Sequence, residues 1–179
     1  PDSSTKRLGV YIQDEIVLGD SGLRLIPGYR YDRYDMEPSA DGLVDSVSAI
    51  GDLSGFTVSD VSVEASSLSL GALYDLSERV SLFAQYAEGY RPPNFDESNQ
   101  AFVNLGFGYA TLPNPDLTAE SSAGLEVGVR ASLGNVFVNL VAFDNHYENF
   151  IESTFVGQQN GISLFQDRNV GSVNIRGAE

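Results

Sequence analysis

Cysteine is absent from this 179-residue chain, which rules out a disulfide framework and any thiolate metal site. Histidine occurs once, at position 146. Nucleophilic catalysis would therefore rest on Ser/Lys or carboxylate pairs, and no motif in the chain supports either. The chain is not read as an enzyme. No run of about 18 apolar residues occurs, so a transmembrane helix is excluded. No apolar N-terminal segment resembles a signal peptide, and Pro1 is not a translation start, so the chain reads as an internal piece of something longer. Basic residues are also scarce: 10 Lys and Arg stand against 25 Asp and Glu, a formal net charge of −15. Nucleic acid rewards clustered Lys and Arg, and this chain offers no such cluster.

What the chain does have is alternation. Apolar and polar residues alternate over residues 6–18, 23–34, 67–76, 80–90, 121–133, 136–151 and 162–175. The pattern is cleanest where Ala123, Leu125, Val127, Val129 and Ala131 interleave with Ser122, Gly124, Glu126, Gly128 and Arg130. Period two places the first set on one face of a strand and the second on the other. Glu126 and Arg130 then share a face about 13 Å apart, too far for a direct pair, and are expected to be neutralised across strands. The first, third and fifth connections are short: Gly19-Asp20-Ser21-Gly22, Ser77-Glu78-Arg79 and Gly134-Asn135. The second, fourth and sixth are expected to be long. Tight turns on one edge of an up-and-down antiparallel sheet and long loops on the other are the mark of a transmembrane outer-membrane β-barrel.

A soluble sandwich with one solvated face alternates in the same way. Three features favour the membrane. Apolar positions are many and little else is available to cover them. Tyr29, Tyr31, Tyr34, Tyr74, Tyr86 and Tyr90 gather towards strand ends, as an interfacial girdle requires. The strands are also about 10 or more residues long, which suits a tilted crossing. Seven strands cannot close an even-numbered bacterial barrel, and open edges are not tolerated in lipid, so a larger barrel is expected. One long loop carries Asp35, Glu37, Asp41, Asp45, Asp52, Asp60 and Glu64 in or beside it. It reads as a solvated loop, or alternatively as a divalent-cation site or a docking surface for a basic partner.

Two motifs carry more. Tyr90-Arg91-Pro92-Pro93-Asn94-Phe95-Asp96-Glu97 and Asn114-Pro115-Asp116-Leu117-Thr118-Ala119-Glu120 resemble the FRAP and NPNL boxes that bracket an extracellular loop in TonB-dependent receptors for haem and haemoproteins. The segments 9–15, 27–32, 125–130, 169–171 and 176–179 are similar to the surrounding text of that family, so the resemblance covers about residues 6–179. It implies that residues 1–179 are part of a 22-stranded barrel whose plug domain lies outside this chain. It further implies an outer-membrane location in a Gram-negative bacterium, contact with outer-membrane lipid, and coupling to the energising TonB complex through the plug. The function implied is uptake of an extracellular iron-bearing ligand, haem or a haemoprotein. Haem would be cargo rather than an intrinsic cofactor, and no nucleic acid is involved. The alternatives are a receptor of the same superfamily for a siderophore or other nutrient, and a passive or structural outer-membrane barrel.

Receptors of the haem branch commonly place a histidine between the boxes, whereas residues 101–113 contain none. A tyrosine phenolate is an alternative axial ligand for haem iron. Tyr109 in the loop or His146 at the outer end of the sixth strand are thus the candidates for iron. Phe107, with Phe102, is a candidate for stacking on a flat ligand. Proline biases its predecessor to extended geometry, which aims Arg91 either at a ligand anion such as a propionate or at a carboxylate such as Glu88, Asp96 or Glu120. Asn94 completes the candidate ligand-binding set.

Overall fold

The computed structural model describes residues 3–39 and 58–179. Asp41, Asp45 and Asp52 of the acidic loop lie outside them. The strands are β1 (Ser4–Gln13), β2 (Ile16–Val17), β3 (Leu23–Glu37), β4 (Val61–Ser77), β5 (Val80–Arg91), β6 (Phe102–Asn104), β7 (Tyr109–Leu112), β8 (Glu120–Leu133), β9 (Val136–Gln159) and β10 (Ile162–Ala178), with one short helix, α1 (Phe95–Asn99), before β6. They form one ten-stranded sheet in the order β1-β3-β4-β5-β8-β9-β10-β7-β6, with β2 paired to β3. The long strands are antiparallel to their neighbours. β1 and β2 are one strand interrupted at Asp14 and Glu15, whose register is kept by Asp14 N–H donating to the Pro27 carbonyl at 3.2 Å.

All seven expected strands are present, but the sixth connection is not a long loop. β9 continues to Gln159 and meets β10 through Asn160-Gly161, both with positive φ (51° and 81°). Two consecutive left-handed residues make the tight turn whose twist matches the flanking strands, and Asn-Gly is its preferred dipeptide. The loop between the two boxes is likewise built, from α1, β6 and β7, and β7 pairs in parallel with the outer end of β10.

Cross-strand register sorts the side chains cleanly. Leu25, Ala72, Ala84, Val127 and Ala142 lie on successive neighbouring rungs of one face, accompanied by Leu70, Tyr74, Leu82, Val129 and Leu140. Val127 is 47% and Leu140 56% exposed, as expected of a face whose solvent is lipid rather than a second layer of protein. At about 3.4 Å per residue and a tilt near 40°, the stripe from Leu68 to Leu76 stands about 20 Å tall, close to the ~25 Å apolar band of outer-membrane barrels. Its outer limit carries Tyr86, whose hydroxyl donates to Glu88 at 2.8 Å, and Tyr29, bonded to Ser66 at 2.9 Å. Glu88 also accepts from Leu68 N–H.

The opposite, lumenal face carries Phe83, Glu126, Gly128 and Arg130 on neighbouring rungs. The expectation that Arg130 would meet a carboxylate across the strands is corrected here, because its guanidinium lies over the Phe83 ring at 4.6 Å. The ring fits because residue 128 is glycine. A Cβ there would fall 2.6 Å from both Phe83 Cε1 and the Leu140 carbonyl oxygen.

Candidate functional site

The site is the outer mouth of the barrel, where β5 ends and β8 begins. Pro92 and Pro93 stop β5, since neither can donate to the ladder, and Asn94 starts α1. Asn94 Oδ1 accepts from Glu97 N–H and Glu97 Oε2 from Asn94 N–H, each at 2.9 Å, a capping box. The same Glu97 carboxylate receives Arg91 Nη1 at 2.8 and 2.9 Å. From its other side the guanidinium makes a two-point contact with Glu120, Nε to Oε2 at 2.6 Å and Nη2 to Oε1 at 2.7 Å. Glu120 Oε1 also accepts from Ile151 N–H at 2.8 Å. One arginine thus joins β5, α1, β8 and β9. Arg91 holds the Glu120 carboxyl below its usual range, helped by the Ile151 N–H and opposed by burial. Glu120 in turn raises Arg91, keeping it charged.

The second box is pinned to β10. Asn114 Nδ2 donates to the Asp167 carbonyl at 2.7 Å, while Asn114 N–H donates to the Ser98 carbonyl at 2.9 Å. Asn169 exchanges hydrogen bonds with the Thr118 backbone at 2.9 and 3.0 Å. Buried Asn99 closes α1 onto Ser59, accepting from its N–H at 2.7 Å and donating to its carbonyl at 3.1 Å. The loop is therefore held at both ends and along its length.

Alternation in β7 divides its side chains. Ala110 and Leu112 join Ala101, Ile162 and Leu164 in a small core on one face. On the other face Tyr109 stands between Phe102 (ring centres 6.1 Å apart) and Phe165 (6.4 Å), and Phe165 meets Phe155 at 5.8 Å. Phe107, at the turn between β6 and β7, is 84% exposed. Asp167 alternates onto the same face of β10 as Phe165; its carboxyl is pushed up by burial and further by the nearby Glu97, against a hydrogen bond from Ser153.

The structure brings Arg91 and Asn94 together through Glu97, and puts Tyr109 in a separate aromatic row with Phe102 and Phe165. Of the carboxylates expected to meet Arg91, Glu120 does so; Glu97 takes the place expected of its neighbour Asp96, and Glu88 bonds Tyr86 on the lipid face. All three guanidinium nitrogens are committed to carboxylates. His146 is not brought to this loop. It lies on the lipid-side face of β9, in step with Leu140, above the apolar band. Nδ1 sits 2.8 Å from Asn174 Oδ1 and Nε2 3.3 Å from Glu148 Oε1. Those two acceptors, Asn174 foremost, raise its pKa. Phe155, Phe165 and Glu97 are site residues that sequence reasoning missed. Asn-x-x-Glu at the start of α1 signals the last, and the Asn160-Gly161 turn signals the hairpin that carries the other two.

Among the described residues, no group of three or more His, Cys, Asp or Glu is placed to hold a metal. Asp35 and Glu64 are instead paired with Arg33 at 2.8 and 3.2 Å, and Glu37 with Lys6 at 3.6 Å.

The family described as "TonB dependent receptor-like, beta-barrel" matches residues 1–179. Haemoglobin and haemoglobin-haptoglobin-binding protein B of Haemophilus influenzae is 34% identical over 93 residues, covering 52% of this chain and 8% of that protein. The ferric enterobactin receptor of Pseudomonas aeruginosa is 27% identical over 195 residues, covering 99% of this chain and 23% of that protein. Among solved structures, a double mutant of the Serratia marcescens hemophore receptor HasR, in complex with its hemophore HasA and haem, superimposes with a TM-score of 0.68. It is 22% identical, with 98% of this chain and 31% of that one covered. The chain thus spans under a third of the length of each.

Proposed function

The chain belongs to the TonB-dependent receptor β-barrel family, and from that premise we propose that it forms part of an outer-membrane receptor for energised uptake of an iron-bearing ligand, haem or a haemoprotein. The observation that carries the proposal is the braced aromatic loop between the two boxes, presented at the mouth of the barrel. A loop already held by Arg91, Asn114 and Asn169 loses less conformational freedom on binding than a free one. Tyr109 is the proposed ligand for haem iron and Phe107 a stacking contact. Asn94 and Arg91 act by holding the loop, and a ligand anion reaching Arg91 has to displace Glu97 or Glu120. His146, on the lipid side, is set behind Tyr109 as an iron ligand. The energy would come from the TonB complex, acting through a plug domain of the whole receptor. No enzymatic step is involved.

Titration of the full-length receptor with haemin tests the reading: a Soret shift that saturates at one equivalent is expected, and its absence removes haem. The second reading is a ferric siderophore, favoured by the match over 99% of this chain to the ferric enterobactin receptor and by the lack of a histidine in residues 101–113. A ferric catecholate probe bound in place of haemin would establish it. Family membership sets aside the soluble sandwich and weighs against a passive barrel.

A further inference from the structure

We propose that the barrel wall holds a strand-addition site between β4 and β5, just outside the tyrosine girdle, for an extended peptide segment carrying Lys or Arg at alternate positions. The site is separate from the loop between the boxes and from the transported ligand.

β4 pairs with β3 as far as Val61, and β5 pairs with β8 as far as Arg91. Between themselves β4 and β5 pair only from Ser69↔Ala87 to Ser77↔Val80. Residues 61–68 and 88–91 thus have one neighbouring strand where a closed wall has two. Below the gap the Glu88 carboxylate accepts from Leu68 N–H at 3.0 Å, in the place of a strand carbonyl. Above it Asn99 of α1 is tied to Ser59, just before β4, by hydrogen bonds of 2.7 and 3.1 Å. The gap is a bounded window with a cavity of about 430 Å³, not a frayed end.

Backbone groups alternate sides along a strand, so Ser66, Glu64 and Ser62 turn N–H and C=O towards the gap, as Leu68 does. Beyond Tyr29 and Tyr86 these groups face water, whereas hydrocarbon would not tolerate them. Free edges of this kind template an added strand. β4 offers the longer edge, and antiparallel pairing is the more stable per residue.

Side chains define the occupant. Glu64, Ser66 and Glu88 border the outer face of the window, with His146 and Glu148 nearby, and among the described residues that line it there is no Lys or Arg. Glu88 is bonded to neutral donors, the Tyr86 hydroxyl and Leu68 N–H. Glu64 shares Arg33 with Asp35, and Glu148 meets His146. Carboxylates spread along one face attract cationic side chains. Among the described residues no acidic group is clustered tightly enough to hold a metal, so cations spaced along a chain fit better than one divalent ion. Val63, Ala65 and Gly89 border the lumenal face and suit small uncharged residues. Period two then gives the occupant Lys or Arg on one face and small residues on the other.

The experiment uses the full-length receptor in detergent and a fluorescent eight-residue peptide of alternating Lys and Thr, read by anisotropy. Saturable binding is expected. Glu64→Gln combined with Glu88→Gln should weaken it about tenfold or more, with the folded-barrel mobility on unheated gels unchanged. Methylating the lysine amides, whose N–H groups an antiparallel addition turns towards β4, should weaken it about tenfold or more. A peptide of the same composition with all Lys before all Thr should bind far less. Absence of binding overturns the proposal. So does equal binding of the methylated or block peptide, which would mean charge attraction without strand addition, and so does equal binding by the double variant. Binding that disappears when detergent is replaced by vesicles containing lipopolysaccharide also overturns it, because the window is then a lipid site.

Discussion

Arg91 and Glu120 face each other on the outermost rung shared by β5 and β8, and their two-point contact ties the FRAP-like box to the NPNL-like box. Glu120 passes the tie on to β9 through Ile151 N–H, and Glu97 passes it to the capping box of α1. The motifs are separate in sequence but act as one joint.

That joint should be sensitive to acid. Because Glu120 is held below its ordinary range in the folded chain, its contribution is fully present above that ordinary range. It is lost as pH falls through the depressed folded value. Limited proteolysis of the loop between the boxes should therefore accelerate on acidification below the usual carboxylate range. Glu120→Gln should be cut faster at neutral pH and show a weaker acid response. Equal cleavage of the two at all pH values would mean that the joint does not hold the loop.

On the membrane-spanning rungs the two faces of β8 should answer differently to substitution. Val127→Arg places a charge on the lipid face and should cost roughly 2–4 kcal/mol near the bilayer midplane. Gly128→Ala is chemically mild but drives a Cβ against Phe83 and the Leu140 carbonyl. It should lower stability and displace the Phe83 ring from Arg130. Gly128→Ala combined with Phe83→Ala should recover part of the loss, since the smaller side chain removes one of the two clashes. Folding titrations in lipid vesicles read all three.

Topology gives a third test. Proteases added to intact cells should cut near Leu105–Gly108, where the β6–β7 turn is exposed, and spare Gly19–Gly22 and Gly134-Asn135. The boxes themselves should resist, because Asn94, Asn99, Asn114 and Asn169 tie them down. Cleavage at the tight turns would reverse the orientation of the sheet.

The sequence was most legible where one rule governs many residues. Alternation located the seven long strands because lipid enforces period two on every rung. The face of His146 was not drawn from it: the pairing register puts that residue in step with Leu140, away from the lumen. Legibility failed where period two is interrupted. Asn149 is left-handed, and a bulge shifts the register beside Leu164 and Phe165, so Phe155 and Val156 no longer read as strand and β9 was expected to stop early. β6 and β7 were missed for a different reason. They are short, and the pairing of β7 with β10 is parallel and distant in sequence, so no local pattern announces it. Arg91 was expected to meet either a ligand anion or a carboxylate at a strand end, and it meets Glu120 and Glu97. Its choice of Glu97 over Asp96 depended on the capping box, which turns Glu97 back towards the strand.

The iron ligand is the sharpest remaining test, because Tyr109 lies on β7 in the loop between the boxes and His146 on β9. The Tyr109 ring is fixed between Phe102 and Phe165, while its hydroxyl makes no hydrogen bond among the described residues. An oxygen on a positioned ring is suited to bind iron as phenolate. His146 has both nitrogens beside Asn174 and Glu148, an arrangement that stabilises the protonated ring and competes with metal binding. In the full-length receptor loaded with haemin, Tyr109→Phe should abolish the phenolate-to-iron charge-transfer band and leave the folded barrel unchanged. His146→Ala should leave that band in place. Arg91→Ala should weaken haemin binding by loosening the loop, without moving the band. Loss of the haem spectrum in the His146 variant alone would transfer ligation to β9. An unchanged spectrum in both the Tyr109 and the His146 variants would place the iron ligands outside this chain.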